Sequence, residues 1–204
     1  MAVMAETMAY AESVAGFRDN ALVTAYLEGN DEAFQILVTR YQGKLINYIN
    51  TLVHDYDLSI DLAQETFIRV FRYANRYKGD YQFSTWIYRI ATNLAIDELR
   101  RRERKGLFSI RQMIGLFQKD GRPLAIPDVR PTPEHTLDQK ERLRKVQAAV
   151  DQLPQKYRVP FLLKEVEDLS YEEICNVLDI TMGTVKSRIH RAKLMLREKL
   201  AEVL

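Results

Sequence analysis

The sequence is short of the residues that build covalent or metal cross-links. It contains one cysteine, Cys175, in 204 residues. A lone thiol cannot form a disulfide within the chain, and it excludes the cysteine clusters that hold structural zinc. This usage is typical of a cytoplasmic protein, and we expect Cys175 to pack as a small apolar residue.

Histidine is also scarce, and the three histidines, His54, His135 and His190, lie far apart in the sequence. The carboxylates Asp61 and Glu65 are one helical turn apart, but no third ligand lies near them. An enzyme needs converging acids, bases, nucleophiles or metal ligands, and the sequence shows no such constellation. We therefore expect no catalytic activity, no bound metal and no cofactor.

Long apolar runs are missing too. Residues 1–16 are rich in alanine and methionine, but Glu6 and Glu12 interrupt them and no basic segment precedes them. This pattern fits neither a secretion signal nor a membrane span, and we expect residues 1–18 to form a poorly ordered extension without membrane insertion. The formal net charge is only +2, so any affinity for nucleic acid must come from local clusters of basic residues.

Helical periodicity, in contrast, is abundant. Hydrophobic residues make up 47% of the chain and recur at spacings of three and four, without the sustained alternation of strands. The prediction is an all-α fold of two small helical domains joined by a flexible linker. The first domain spans residues 19–105, the linker 106–133 and the second domain 134–204, with glycines and prolines concentrated in the linker.

The first domain is predicted to hold four helices. They cover about residues 21–27, 31–52, a stretch from within 57–61 to about 77, and 84–104, with Asp31 as the N-terminal cap of the second. On the third helix, the 3.6-residue period places one set of side chains inward: Leu62, Ala63, Phe67, Val70, Phe71 and Ala74. The second domain is predicted to contain helices near residues 137–152 and 155–167, followed by a helix-turn-helix.

The helix-turn-helix carries the strongest local signal. Ser170 and Glu173 have the spacing of a capping box, and residues 179–181 supply turn residues and an N-terminal cap for the second helix. From residue 182 to 197 that helix has no carboxylate. Its basic residues are Lys186, Arg188, Arg191, Lys193 and Arg197, and its apolar face comprises Val185, Ile189, Ala192 and Leu196.

Such a basic face has two simpler interpretations. It can be an ordinary solvated surface, and helix-turn-helix pairs also bind proteins. Gly183, Thr184 and Ser187 near the start of the helix favour DNA, because bulky apolar residues there would prevent close approach to the floor of the major groove. The motif alone does not say what the DNA contact is for.

Three motifs follow one another along the chain: DLAQETF at 61–67, FSTWIYRIATNLAID at 83–97 and GTVKSR at 183–188. Together they resemble the signatures of bacterial extracytoplasmic-function sigma factors, the small two-domain type of the sigma-70 family. The resemblance implies a specificity subunit that binds core RNA polymerase, recognises the minus-35 and minus-10 promoter elements and promotes DNA melting. It also implies an anti-sigma factor that covers these surfaces until a signal releases it.

The resemblance assigns residues to the polymerase contact. It implies that the third helix docks on the clamp coiled coil of the largest catalytic subunit, with the flap region as a further contact. The implied clamp residues are Asp61, Gln64, Glu65, Arg69 and Arg72. Ile60 stands where the family often has an acidic residue, which affects one polar contact. Without the resemblance, this face would be interpreted as an ordinary solvated helix surface.

Opening a promoter requires a base to leave its stack, which needs a pocket and stacking surfaces. By resemblance, the loop before the fourth helix forms a pocket for a flipped base of the minus-10 non-template strand, and the helix grips that strand. The implied minus-10 residues are Lys78, Asp80, Tyr81, Phe83, Arg89, Asn93, Arg100, Arg101 and Arg102. We expect Trp86, in contrast, to pack in the core.

The resemblance maps minus-35 recognition onto the second helix of the helix-turn-helix. Four residues would face the major groove: Lys186, Ser187, His190 and Arg191. Thr184 and Arg188 would hold phosphates. His190 replaces what is often an aromatic or other residue, so the resemblance does not define its base preference.

One alternative stays open at this point. A helix-turn-helix regulator acting without polymerase would explain the second domain, but not the motifs between residues 61 and 97. The linker allows the two domains to bind both elements at once. Its roughly 28 residues could extend to about 90 Å, whereas one and a half to two turns of duplex separate the elements by roughly 50 to 60 Å.

Overall fold

The computed structural model describes residues 18–77, 79–113 and 137–201, and within 105–113 and 137–143 it describes the backbone alone. This part of the chain contains eight α-helices, a short 3-10 turn and no strand. The predicted all-α fold is therefore confirmed. The N-terminal extension and residues 114–136 of the predicted linker lie outside the described residues.

The first half contains α1 (Asp19–Leu27), α2 (Asp31–Val53), α3 (Tyr56–Tyr73), a 3-10 turn (Ala74–Arg76) and α4 (Phe83–Met113). The second half contains α5 (Leu137–Asp151), α6 (Gln155–Glu165), α7 (Tyr171–Leu178) and α8 (Met182–Ala201). These bounds match the predicted helices closely except at the end of α4. That helix continues to Met113, eight residues into the segment interpreted as linker. A single glycine such as Gly106 lowers the stability of a helix by only about 1 kcal/mol, and the residues after it favour a helix, so Gly106 does not end α4.

The N-terminal cap of α2 is Asn30, and the prediction of Asp31 was wrong. Asn30 has an extended backbone, and its Oδ1 accepts from the amides of Glu32 at 3.1 Å and Ala33 at 3.3 Å. Asp31 is the first helical residue, where its negative charge still suits the N-terminal end of the helix dipole. An asparagine and an aspartate in adjacent positions are both good caps, so the sequence does not separate them.

The core of the first domain forms where α2, α3 and α4 meet. Tyr48, Phe83, Leu45, Ile49 and Ile87 are almost completely buried there. The Tyr48 hydroxyl lies 2.8 Å from Oγ1 of buried Thr92, so its polar atom is satisfied inside the core. Burial raises the pKa of Tyr48 well above its ordinary value.

Phe71 does not belong to this core, which corrects its predicted inward position. Its side chain is 56% exposed, whereas Ala63, Phe67 and Val70 are buried as predicted. Phe71 lies at the border between the inward and outward faces of α3. Its ring packs against the partly buried rings of Tyr26 and Phe34, at centroid distances of 5.7 and 5.6 Å.

The helix-turn-helix forms as the local sequence predicts. The Glu173 amide donates to Oγ of Ser170 at 3.2 Å, and the Ser170 amide donates to Oε2 of Glu173 at 2.8 Å, which completes the capping box. Asp179 ends α7 in the left-handed region with a φ of 53°. The Thr181 hydroxyl accepts from the amide of Thr184 at 3.4 Å. The predicted apolar face of α8 is buried: Val185, Ile189, Ala192 and Leu196.

Replacing Ser170 with alanine should lower the free energy of unfolding by about 1 kcal/mol, because the amide of Glu173 loses its acceptor at the start of α7. Urea denaturation followed by far-ultraviolet circular dichroism measures this change. Thr39→Ala is the control, since it removes a hydroxyl that donates to the Gln35 carbonyl within α2 and caps nothing. Its effect should stay within about 0.5 kcal/mol, and equal losses in the two variants would contradict a capping role for Ser170.

Candidate nucleic-acid and polymerase interfaces

The exposed face of α8 presents the residues predicted to read the major groove. Lys186, Ser187, His190 and Arg191 are all exposed. The Lys186 ammonium lies 5.8 Å from the centre of the Tyr171 ring, so a cation–π contact with α7 orients it. These side chains form one polar, cationic surface opposite the buried apolar face.

The two residues predicted to hold phosphates are half-buried. The Thr184 hydroxyl lies 2.9 Å from that of Thr181, within the cap of α8. Arg188 is half-buried and lines a crevice of about 250 Å³ together with Arg100 and Lys156. Lys193, which the sequence did not assign to DNA, pairs with Glu165 at 2.8 Å, and this carboxylate raises the pKa of Lys193.

The arginine run on α4 is bound into a network of carboxylates. Arg101 donates to Glu98 at 2.6 Å, and Arg102 donates both to Glu98 at 3.2 Å and to Asp55 at 2.7 Å. Arg100 lies 3.6 Å from Asp97. The hydrogen bonds from these arginines hold the pKa values of Asp55 and Glu98 below their ordinary range.

Asp55 joins this network to the start of a neighbouring helix. Its Oδ1 accepts from the Leu58 amide at 3.1 Å and so caps α3, while its Oδ2 accepts from Arg102. The basic end of α4 is thus tied to the helix that carries the predicted polymerase contact. The arginine side chains of these pairs are 41 to 65% exposed, and exposed ion pairs contribute little to stability.

The loop before α4 is fixed by a residue that the sequence analysis did not single out, Asn20 on α1. Its Oδ1 accepts from the Tyr77 hydroxyl at 2.8 Å and from the Phe83 amide at 3.1 Å, so both ends of the loop are held to one atom. The Tyr77 hydroxyl also contacts the carbonyl of Tyr81. Burial raises the pKa of Tyr77 to about 12. Asn20 lies far from the loop in the sequence, and no sequence pattern indicates that it anchors the loop.

The structure separates the residues predicted for the minus-10 pocket. Asp80 and Tyr81 are exposed on the loop, Asn93 is exposed on α4 and Arg89 is half-buried. Lys78 lies outside the described residues. Phe83 is 0% exposed, so in this structure it can shape the predicted pocket only from inside the core. The Phe83 ring instead packs edge-on against Tyr41 at 5.4 Å and Trp86 at 6.1 Å.

Trp86 packs against the core, as predicted from the sequence. Its ring stacks on Tyr77, with centroids 5.2 Å apart and an angle of 29° between the planes. The side chain is partly buried against the core. Phe83 and Trp86 therefore support the loop on its core side, while Asp80 and Tyr81 lie on its solvent-exposed side.

One face of α3 carries the residues predicted to bind the polymerase clamp. Asp61, Gln64 and Arg72 are exposed, and Glu65 pairs with Arg69 at 2.8 Å. In the middle of this face lies Ile68, which is 49% exposed. At 100° per residue, Ile68 falls between Gln64 and Asp61 on the helical projection. Its spacing from these polar residues therefore places it on the same face.

The apolar surface continues from Ile68 towards the aromatic group of Phe71, Tyr26 and Phe34. Exposed apolar side chains rimmed by polar ones are a common feature of protein interfaces and are unfavourable against DNA phosphates. The geometry of α3 therefore fits a protein partner.

Among the described residues, no three side chains of histidine, cysteine, aspartate or glutamate converge as a metal site. No helix in the described ranges is long and apolar enough to cross a membrane.

Two family models match the chain, one in each half. The model for Sigma-70 region 2 matches residues 37–105, and the model for Sigma-70, region 4 matches residues 143–196. The RNA polymerase sigma-H factor of Pseudomonas aeruginosa is 37% identical over 178 residues, which cover 86% of this chain and 90% of that protein. The ECF RNA polymerase sigma-E factor of Escherichia coli K12 is 35% identical over 177 residues, with coverage of 86% and 90%.

Two solved structures share the fold. The sigma factor RpoE in complex with the anti-sigma factor NepR, from Bartonella quintana, has a TM-score of 0.64 and 23% identity, and covers 82% of this chain and 96% of that one. CnrH in complex with the cytosolic domain of CnrY has a TM-score of 0.65 and 21% identity, with coverage of 90% and 97%. At this identity the similarity concerns the fold alone.

Replacing Asn20 with alanine should release the loop before α4, because the Tyr77 hydroxyl and the Phe83 amide lose their common acceptor. Hydrogen exchange at the Phe83 amide should accelerate about tenfold, as expected for the loss of about 1 to 1.5 kcal/mol. Asn47→Ala, at an exposed position of α2, is the matched control and should leave that rate unchanged. An unchanged rate in Asn20→Ala would show that the loop does not depend on this anchor.

Proposed function

The chain belongs to the extracytoplasmic-function sigma factors of the sigma-70 family, which direct RNA polymerase to promoters for initiation, and we propose how its residues divide that task. The first domain binds the clamp coiled coil and the minus-10 element, and the second binds the flap region and the minus-35 element. The domain bounds 19–105, 106–133 and 134–204 are part of this proposal. One observation carries it above all: regions 2 and 4 follow each other in one chain, and most of the predicted polar residues of each are exposed.

Minus-35 recognition is assigned to the exposed face of α8. Arg191 and Lys186 can donate to the O6 and N7 acceptors of guanine, while Ser187 and His190 adjust the fit. Thr184 and Arg188 contact phosphates. The absence of carboxylates from residues 182–197 supports this assignment, because a carboxylate close to the groove would repel the phosphates on both sides.

Minus-10 melting is assigned to the loop before α4 and to the helix that follows. Asp80 and Tyr81, together with Lys78, shape the outer wall of the pocket, and Phe83 holds its floor through the core. Arg89 and Asn93 border the pocket along α4. Arg100, Arg101 and Arg102 hold the strand by exchanging their carboxylate partners for phosphates, which also releases counterions from DNA.

Polymerase binding is assigned to the exposed face of α3. The polar contacts come from Asp61, Gln64, Glu65, Arg69 and Arg72, as the sequence resemblance implies. We add Ile68 at the centre of this face, since binding energy at protein interfaces concentrates in central side chains that become fully desolvated. Polar residues then form the rim around it.

The remaining features follow from the same role. A sigma factor positions the polymerase and needs no catalytic group or cofactor of its own, so we propose that the chain is not an enzyme. Because it works on RNA polymerase, as the names of its relatives state, its place of action is the cytoplasm. Structural neighbours were solved with anti-sigma factors, which supports a partner of that kind here.

Reconstituted transcription with core polymerase and a randomised promoter library tests the proposal directly. The chain should direct initiation from templates that share two spaced elements, and it should do so only with the polymerase present. A regulator acting alone would instead shift DNA without polymerase and start no transcripts. Failure to bind core polymerase would overturn the proposal.

Replacing Ile68 with aspartate should weaken binding to core polymerase by about tenfold or more, because a charge would be desolvated at the centre of the contact. Titration of labelled core enzyme measures the affinity. Gln42→Asp adds the same charge at an exposed position of α2 and should leave the affinity close to the original. A loss of equal size in both variants would place the contact elsewhere.

Replacing Arg191 with alanine should reduce promoter use by about fivefold or more and relax the base preference at one minus-35 position, since a bidentate guanine contact is worth roughly 1 to 3 kcal/mol. Competition between promoter variants in the transcription assay reads both changes. Arg197→Ala removes an equal charge from the same helix outside the predicted set. If both variants lose activity without any change in preference, Arg191 contacts phosphate and does not read a base.

A further inference from the structure

The first turn of α1 is anchored to α2 by Asp19. Its carboxylate accepts from the Arg40 guanidinium and from the Tyr41 hydroxyl. The Asp19 side chain is 19% exposed and that of Arg40 is 27% exposed, so water screens this ion pair less than the exposed pairs on α4. Burial and the hydrogen bond to Asp19 raise the pKa of Tyr41 well above its ordinary value, so its hydroxyl remains a donor at neutral pH. The turn that carries the next residue, Asn20, therefore has a fixed position.

Asn20 holds both ends of the loop before α4 at one oxygen atom. Its Oδ1 accepts from the Tyr77 hydroxyl at 2.8 Å and from the Phe83 amide at 3.1 Å. The same Tyr77 hydroxyl contacts the Tyr81 carbonyl. Between these points the chain passes through Gly79 with a φ of 73°, a conformation that residues with a Cβ rarely adopt. The hydrogen bonds and the glycine together define one path for the loop.

The core side of the loop rests on aromatic rings that depend on the same anchor. Tyr77 stacks on Trp86 with centroids 5.2 Å apart, and it meets Phe83 edge-on at 6.3 Å. Tyr41 meets Phe83 edge-on at 5.4 Å. Loss of the Asn20 acceptor would therefore release both the backbone of the loop and the ring of Tyr77 on which it rests.

We propose that Asn20 is a positioning residue for minus-10 recognition. It holds the loop in its base-accepting shape before DNA arrives, and it thereby sets how strongly the holoenzyme prefers one base at the flipped position. Asn20 acts through the loop and does not itself contact the base. The inference rests on the proposed function, because it takes the side of the loop that bears Asp80 and Tyr81 as the pocket.

Holding the loop beforehand affects base discrimination more than general affinity. A mobile loop can adapt its shape to several bases, whereas a fixed pocket accepts a base only when its shape and hydrogen bonds fit. Contacts to phosphates, in contrast, supply affinity without carrying sequence information. Loss of the Asn20 acceptor should therefore lower the preference among bases and leave the phosphate contacts of α4 in place.

An amide suits this position better than a carboxylate. Burial, together with the negative charges of Asp19 and Asp80, raises the pKa of Tyr77 to about 12. A further negative charge at position 20 would lie near the phosphates of the bound strand and repel them. A carboxylate would nevertheless offer an oxygen to both donors. Asn20→Asp therefore keeps the acceptor and adds a charge, while Asn20→Ala removes the acceptor without adding one.

Competition between paired promoter templates in reconstituted transcription tests the proposal. The two templates differ at the minus-10 base for which the wild-type holoenzyme shows its strongest preference. In Asn20→Ala the preference ratio should fall about fivefold or more, as expected for the loss of hydrogen bonds that hold a pocket. Asn20→Asp should keep the ratio within about twofold and lose transcription from both templates alike, with a larger loss at low salt.

Tyr77→Phe provides a second variant of the same link, because it removes the hydroxyl and keeps the ring that stacks on Trp86. Its preference ratio should fall in the same direction. Asn47→Ala, at an exposed position of α2, is the matched control and should leave the ratio unchanged. All variants should keep the minus-35 preference and the affinity for core polymerase. If Asn20→Ala fails to fold by circular dichroism, Tyr77→Phe decides.

Two results would overturn the inference. Asn20→Ala could reduce transcription from both templates equally with the ratio intact, which would make Asn20 a structural residue alone. Asn20→Asp could lose the ratio as the alanine variant does, which would show that the acceptor does not position the loop. A wild type that binds no polymerase or prefers no minus-10 base contradicts the proposed function, and this inference falls with it. A clear wild-type preference that Asn20→Ala retains overturns the inference alone.

Discussion

The other surfaces of this sigma factor depend on α4, because this one helix must use different faces for the core of the first domain, for the second domain and for solvent. Successive residues advance about 100° around a helix, so neighbouring side chains must serve different faces. Phe83, Ile87 and Ala91 are buried in the first domain, while Thr85 and Tyr88 lie under the second. The edge bearing Arg89 and Asn93 is left half-buried or exposed, and it is the part of this turn of α4 that we propose for the promoter.

The arginine network shows how a protein of nearly neutral net charge can carry a local cluster of basic residues whose charges are balanced by neighbouring carboxylates. Arg101 and Arg102 are held by Glu98 and Asp55, so the free surface carries local pairs and little net field. Phosphates offer the same acceptor geometry with higher charge density, and exposed ion pairs are inexpensive to exchange. In the proposed function, DNA phosphates would take the place of these carboxylates as acceptors for the arginines.

The sequence was sufficient wherever the determining forces are local. Ser170 with Glu173, the turn at Asp179 and the buried stripe of α8 depend on residues within one or two turns, and all are present as predicted. Tertiary packing overrode the pattern elsewhere. Phe71 matched the inward period of α3, yet it lies at the edge of that face, where Tyr26 and Phe34 contact its ring and leave the side chain 56% exposed.

Contacts between distant segments were beyond the reach of the sequence. Asn20 meets Phe83 across 63 positions, and Arg158 meets Leu52 across 106. Nothing in composition or spacing marks either partner, because the geometry exists only after the helices have packed. The site predictions share this limit: the motifs suggest which residues we assign to DNA, but the burial of Phe83 is visible only in the folded chain.

Arg158 of α6 donates to the Leu52 carbonyl and so caps the end of α2, which has a consequence for dissecting the molecule. A fragment ending after α4 would expose the final carbonyls of α2 to water and uncover the stripe around Tyr88. Its α2 would fray at the last turn, and the stripe around Tyr88, which is buried in the intact chain, would become exposed and could bind other proteins nonspecifically. Measurements on the isolated halves therefore report two altered proteins, and their sum does not reproduce the whole.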